Sequence, residues 1–243
     1  MQSDERLVRY REIWQTKPAL KRIYECYYQQ IVEQCRRGGR TLEIGGGSGN
    51  LKAFIPEVVA TDVIPASWLD AVADAHRLPF AAASFDNIVL FDVLHHLERP
   101  RMFLGEAARV LRPRGRLVMV EPAITPLSGL FYRLMHPEPV RTHEDPLAPG
   151  EPSPARDPYN ANQAIPTLLF GRYRNRLARI IPQLRLIESR RIALLSYPLS
   201  GGFQSWSLIP ARLAGPILRA ERLLEPILGP LMAFRLIVTL ERV

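Results

Sequence analysis

The chain has 243 residues, 47% of them apolar, and a formal net charge of +8 carried mainly by arginine. This length suits one α/β domain with an insertion, and no apolar run reaches the roughly 18–20 residues that a membrane-spanning helix needs. The charges are scattered with no aromatic-interleaved basic stripe, so no nucleic-acid partner is expected, and the opening Met1-Gln-Ser-Asp-Glu-Arg6 lacks a basic-then-apolar leader, which predicts a cytoplasmic protein.

From the amino end, Tyr10 to Trp14 and Tyr24 to Ile31 space apolar and aromatic residues three and four apart, predicting one or two amphipathic helices that Gly38-Gly39 stops. Cys26 and Cys35 fall here with no CxxC or Cys/His spacing and read as reduced packing residues. A short apolar strand over 40–44 follows, then Gly45-Gly-Gly-Ser-Gly49 and a helix from Asn50. Further strands are predicted at 58–62, ending in Asp62, at 87–91, ending before Asp92, and at 116–121, ending in Glu121. A helix over about 100–111 and the turn Arg112-Pro-Arg-Gly115 precede the last of these. Strands alternating with helices, each continuously apolar, argue for a doubly wound parallel sheet covered on both faces.

After Glu121 the composition changes. Residues 122–166 are proline-rich and read as a long loop or cap over the sheet edge. A helix over about 167–181, a strand over 186–195 and a final strand over 233–240 come next, and the segment 197–232 between those strands is an insertion. In that insertion Pro210, Pro216, Pro226 and Pro230 predict a series of short helices. The expected organisation is an N-terminal helical cap (1–39), a ligand-binding core (40–124), a Pro-rich cap (125–166) and the rest of the sheet with its helical insertion (167–243).

The strongest chemical signal is Glu43-Ile-Gly45-Gly46-Gly47-Ser48-Gly49 between a strand and a helix. Glycines permit positive φ and let a ligand lie against the main chain, while helix amides face an electronegative ligand atom. The dinucleotide fingerprint Gly-x-Gly-x-x-Gly is not met, because Asn50 or Lys52 stands where its third glycine belongs, and a phosphate-gripping Gly-Lys-Ser/Thr is absent. Asp62 ends its strand at the same crevice, where a carboxylate can accept both hydroxyls of a ribose.

These residues, with Asp74-Ala75, Leu78-Pro79-Phe80, Ser84-Phe85-Asp86, Val93-Leu94-His95-His96 and Leu111-Arg112-Pro113, stand in order over about a third of the chain. Together they resemble the class I S-adenosylmethionine (SAM)-dependent methyltransferases, in the type 11 branch that includes the quinone-biosynthesis C-methyltransferases. The resemblance implies a seven-stranded, Rossmann-like, doubly wound sheet and SAM as cofactor, released as S-adenosylhomocysteine. It implies that Glu43 and Gly45, Gly46, Gly47 and Gly49 hold the methionine end, that Asp62 holds the ribose and that Val63 packs on the adenine. Asp74 would accept from the adenine amino group, the backbone at Ala75 would donate to the ring, and main chain near Phe91 would meet the SAM amino group. Arg114 departs from the family, which commonly has a glycine there.

Methyl transfer from a sulfonium mainly requires collinear positioning, which can contribute roughly 7–11 kcal/mol. A base is needed only where the acceptor keeps its proton. His95, His96, Glu121, His136 and His143 are the candidates; adjacent helical residues diverge by about 100°, so His95 and His96 should not both face the pocket, and His96 is favoured. No metal is expected, since the paired histidines have no third ligand at usable spacing. Acceptor choice is assigned to the segments around Tyr10 and Trp14, after Glu121 and after Tyr197. The insertion's apolar residues and periodic arginines suit a small, apolar or lipid-linked acceptor, or peripheral contact with the inner membrane surface; packing on the body or a homodimer is an equal alternative. The rival functions are a nicotinamide-dependent reductase or epimerase and a non-catalytic SAM-binding partner protein.

Overall fold

The computed structural model describes residues 4–243; Met1, Gln2 and Ser3, which open both the expected cap and the leader reading, lie outside the described residues. Two helices lead in. α1 (Glu5–Thr16) is capped by Asp4, whose carboxylate accepts from Arg6 N at 2.7 Å. α2 (Pro18–Gln34) starts at a proline whose missing N–H costs nothing there. Its buried residues Leu20, Ile23, Tyr24, Tyr27, Tyr28 and Ile31 recur at helical spacing and pack on one face of the sheet, against Val89, Val118 and Ile237.

That sheet has seven strands: β1 (Thr41–Ile44), β2 (Val59–Asp62), β3 (Ala71–Val72), β4 (Phe85–Phe91), β5 (Leu111–Pro122), β6 (Leu184–Ile192) and β7 (Arg235–Arg242). Their order is β3-β2-β1-β4-β5-β7-β6, parallel except for β7, which runs antiparallel between β5 and β6. α3 (Pro100–Val110) buries Phe103, Leu104 and Ala107 on the opposite face from α2, within a core that includes Ile88, Leu117 and Val238. The expected doubly wound architecture is therefore present. β1, β2 and β4 all end at one edge, where the ligand crevice of such sheets lies.

Several local expectations are corrected. The helix expected from Asn50 is a single 3-10 turn over Asn50–Ala53, cut short by the approaching Pro56. β3, a two-residue exposed strand, has no apolar run to announce it. The turn expected at 112–115 is absorbed into β5, with Arg114 at φ +64°. The Pro-rich stretch contains α4 (Pro126–Met135), started by a reciprocal Thr125–Ser128 capping box. The single helix expected over 167–181 is α5 (Ile165–Phe170) and α6 (Arg174–Ile180), separated at Gly171, whose ψ of −100° no helix accommodates. β6 ends at Ile192, not at 195, because Ala193 takes φ +60° ahead of α7 (Ser196–Ser200).

The largest correction concerns the insertion, where α8 (Ala211–Met232) is one continuous helix despite Pro216, Pro226 and Pro230 inside it. Each proline lacks the N–H that would bond the residue four positions back. Those residues, Arg212, Arg222 and Pro226, are all exposed, so water can take the freed carbonyls. α8 is anchored by two inward acids. Glu221 accepts from the Leu195 and Ser196 amides and the Ser196 hydroxyl, and Glu225 accepts from the Ala193 amide.

Candidate active site

The cleft at the carboxyl edge begins with the turn after β1. Gly45 sits at φ +68°, and a Cβ there would lie 2.2 Å from the Val93 side chain, so no other residue fits without moving Val93. Gly47 N donates to Asp62 Oδ2 at 3.0 Å, and Trp68 Nε1 donates to Gly47 O at 2.8 Å, which locks the loop against β2. Glu43, Gly45 and Gly46 line the cleft. Gly47 and Gly49 instead shape the turn from behind it.

Glu43 is 3% exposed, and its Oε2 is buried with no hydrogen-bond partner. Burial, reinforced by the nearby Asp62 carboxylate, pushes its carboxyl up to about 8. A buried acceptor without a donor, beside the glycine turn that lines the cleft, fits a cationic amine. Asp62 is held by its own β2 terminus, with Oδ1 accepting from Ile64 N at 2.9 Å and Oδ2 from Gly47 N. Burial raises its carboxyl above the usual range despite those backbone donors. Each oxygen keeps a second lone pair, so the carboxylate can still take two hydroxyls.

Val63, Asp74, Ala75 and Phe91 also line the cleft. Asp74 is engaged on both oxygens: Oδ1 accepts from the His76 amide and lies 2.8 Å from His76 Nδ1, and Oδ2 is 2.5 Å from Arg156 Nη2. Arg156 comes from the irregular stretch after α4, and with Pro158 and Tyr159 it closes the cleft's outer rim. The Arg6 guanidinium of α1 lies 4.2 Å over the Tyr159 ring. The other wall is aromatic, with Tyr24 stacked on Phe91 at 5.0 Å, Tyr28 on Phe54 at 5.0 Å, and Tyr10 against Phe203 at 4.9 Å. The three segments assigned to acceptor choice therefore meet at one cleft.

His95 and His96 sit on a 3-10 turn (Leu94–His96), and, against the expectation that neighbouring side chains diverge, their rings lie 4.1 Å apart. His96 lines the cleft; His95 and Glu121 lie beneath it. Glu121, fully buried at the end of β5, accepts from the Val93 and Leu94 amides at 2.9 and 2.8 Å and faces His95 Nδ1 at 2.7 Å. Burial lowers the His95 imidazole, but the carboxylates of Glu121 and Glu138 outweigh this and hold it up at about 9. His96 is lowered instead, by burial and then by His95. His136 lies beside both, across a small cavity that Glu138 also lines.

Sequence reasoning passed over Arg156, Tyr159, Glu138 and Arg235. Arg235, on β7, is a fully buried guanidinium paired with Asp92 and 4.1 Å from the Tyr197 ring. A lone arginine opening an otherwise apolar strand was the one available signal for it. The others stand in loops whose positions no local pattern specifies.

Comparison with known proteins agrees with this geometry. Residues 42–119 match the methyltransferase domain family. The ubiquinone/menaquinone biosynthesis C-methyltransferase of Coxiella burnetii is 31% identical over 137 residues, covering 45% of this chain and 55% of that protein. The 27-O-demethylrifamycin SV methyltransferase of Amycolatopsis mediterranei is 43% identical over 54 residues, covering 22% of this chain and 20% of its own length. The chain thus spans about half the length, or less, of the curated relatives it matches. A SAM-dependent methyltransferase structure from Archaeoglobus fulgidus superposes with a TM-score of 0.54 at 13% identity, covering 90% of this chain and 93% of that one. Residues 42–119 are thus similar to a methyltransferase domain, and the chain shares the fold of that SAM-dependent methyltransferase structure.

Proposed function

We propose that the protein binds SAM in this cleft and transfers its methyl group to a small, apolar or lipid-linked acceptor. The observation that carries the cofactor assignment is Glu43 Oε2, a buried, unpartnered carboxylate oxygen under the Gly45-Gly46 turn. It suits the amino group of the methionine end, with Asp62 taking the ribose hydroxyls and Val63 the adenine face. Arg156 holds Asp74 at the adenine end, so adenine recognition there shares an acceptor already in use.

SAM supplies an electrophilic methyl group on a sulfonium. The chain supplies position and exclusion of water, from the Tyr24, Tyr28 and Phe91 wall on one side and the Tyr159 rim on the other. His96 faces the cleft with its basicity lowered, so it is neutral near pH 7 and able to take a proton from a hydroxyl acceptor. His95 and Glu121 position it from below. A carbon acceptor would use the same placement, and one relative is named for C-methylation while another carries a 27-O designation.

The lipid-linked reading rests on α4 and α8, which pack side by side. Leu134 and Met135 of α4 are 74% and 71% exposed, and Leu223 and Ile227 of α8 are 79% and 76% exposed. α4 has no acid, and both acids of α8 turn inward, so the outer face presents only apolar residues and arginines such as Arg133 and Arg219. Such a face suits an anionic membrane surface. A homodimer through the same face is the competing outcome.

The test is incubation with methyl-labelled SAM and a membrane lipid extract. Label should enter an organic-extractable product, and Asp62→Ala should abolish this. Transfer only to water-soluble acceptors would remove the apolar class. Sedimentation with phosphatidylglycerol vesicles should carry the protein down, and a Leu223→Asp, Ile227→Asp variant should stay in solution. A wild-type protein that ignores vesicles and elutes as a dimer would assign the face to self-association.

A further inference from the structure

We propose that His95, His96 and Glu138 form a binding site for one divalent first-row metal ion, such as Zn2+, on the acceptor side of the cleft. One donor atom from each residue lies within 4.8 Å of the others. The third ligand is supplied by the fold, since Glu138 follows α4 and is returned to the histidines by the chain path. His95 Nε2 and Glu138 Oε2 stand 3.6 Å apart. That is too long for a direct hydrogen bond. It is close to the separation of about 3.4 Å expected for two donors each about 2.0–2.2 Å from one tetrahedral ion.

The outer contacts of both imidazoles favour coordination. His95 Nδ1 meets Glu121 Oε2 at 2.7 Å and His96 Nδ1 meets the Asn160 carbonyl at 3.2 Å. Neither oxygen can donate when Glu121 is ionised, so both Nδ1 positions carry the hydrogen and Nε2 is the coordinating nitrogen, an ion taking the place of the second proton on His95. A carboxylate or carbonyl behind each imidazole is the arrangement that orients metal-binding histidines. The Gln163 amide donates to Glu138 Oε2, the oxygen that faces His95, and leaves that oxygen a second lone pair.

Charge points the same way. Asp92 and Glu138 line the small cavity, with Glu121 behind His95, against one guanidinium, Arg235. Once His95 gives up its second proton, three carboxylates against Arg235 leave two negative charges for a divalent cation to balance. The cavity, about 90 Å³, has room for an ion and a few waters but not for an organic acceptor. Three protein ligands with a position left open is the pattern of catalytic rather than structural zinc.

His96 borders both this cavity and the cofactor cleft. On the function proposed above, an acceptor hydroxyl reaching the open position from the cleft would release its proton to water, with His96 acting as a ligand in place of the base. Its oxygen would then form the bond to the methyl carbon as the carbon–sulfur bond breaks and its electron pair passes to sulfur.

The test uses tag-free, chelator-stripped protein titrated with Co2+ and followed by visible d–d absorption, with Zn2+ competition. One Co2+ per chain should bind, and His96→Ala and Glu138→Gln should each weaken it at least tenfold while circular dichroism stays unchanged. Failure of folded protein to bind Co2+ stoichiometrically would overturn the site, as would binding that neither variant alters. SAM affinity measured on the same samples reports on the cofactor cleft separately.

Discussion

His95 Nδ1 lies 2.7 Å from Glu121 Oε2, and these side chains are 3% and 0% exposed. The same carboxylate holds the amides of Val93 and Leu94, so one buried group fixes the whole turn that carries both histidines. Glu121→Ala would leave two amides and an imidazole without their acceptor. The expected loss is about 3–5 kcal/mol of unfolding free energy, read from urea denaturation, with Glu121→Gln losing less. A loss under about 1 kcal/mol would show that the turn does not depend on this carboxylate.

Glu43 predicts a pH dependence. Folding raises its carboxyl from 4.5 to about 8, so the folded chain keeps a proton that the unfolded chain has already lost. The contribution is complete below about pH 4.5, declines as pH rises to about 8 and stays absent above that. The difference in stability between wild type and Glu43→Gln should therefore move in favour of the variant across this window. SAM affinity should rise over the same range in the wild type, as the carboxylate ionises to meet a cationic amine, and stay flat in the variant. Parallel pH profiles for the two proteins would refute the assignment.

Arg114 adopts φ +64° within β5, a conformation in which a side chain costs roughly 1–2 kcal/mol. Its guanidinium makes no hydrogen bond or ion pair among the described residues, while its carbonyl accepts from Arg36. Arg114→Gly should preserve that contact and gain up to about 1 kcal/mol after the entropy of glycine is subtracted. A thermal midpoint that falls would argue against the left-handed geometry.

The Arg156–Asp74 pair closes the cleft rim, with the two side chains 23% and 32% exposed. Partly exposed pairs contribute little to stability, so Arg156→Ala should leave the unfolding midpoint nearly unchanged. SAM dissociation, followed by displacement kinetics, should accelerate several-fold. An unchanged off-rate would mean that the rim does not retain the cofactor.

The core was legible because its strands are continuous apolar runs ending at chemically distinctive residues, Glu43 near the glycine turn, Asp62 and Asp92. Where sequence reasoning went astray, tertiary context outweighed a local rule. The prolines of α8 read as breaks because propensity says nothing of an exposed side on which water can replace the lost bonds. Gly171 looked like one small residue within a helix, although its backbone turns the chain. The third member of the histidine cluster, Glu138, was invisible because its nearness depends on the path after α4 and not on spacing.

The central claim is most directly tested by calorimetric titration with SAM and with S-adenosylhomocysteine, using Asp62→Ala and Asp62→Asn as controls. Asp62 makes a charge-assisted contact of about 1.5–3 kcal/mol in this account. Saturable one-to-one binding, weakened at least tenfold in both variants with their circular dichroism intact, is the predicted result. Absence of binding by the folded wild type, or equal affinity in all three proteins, would contradict it.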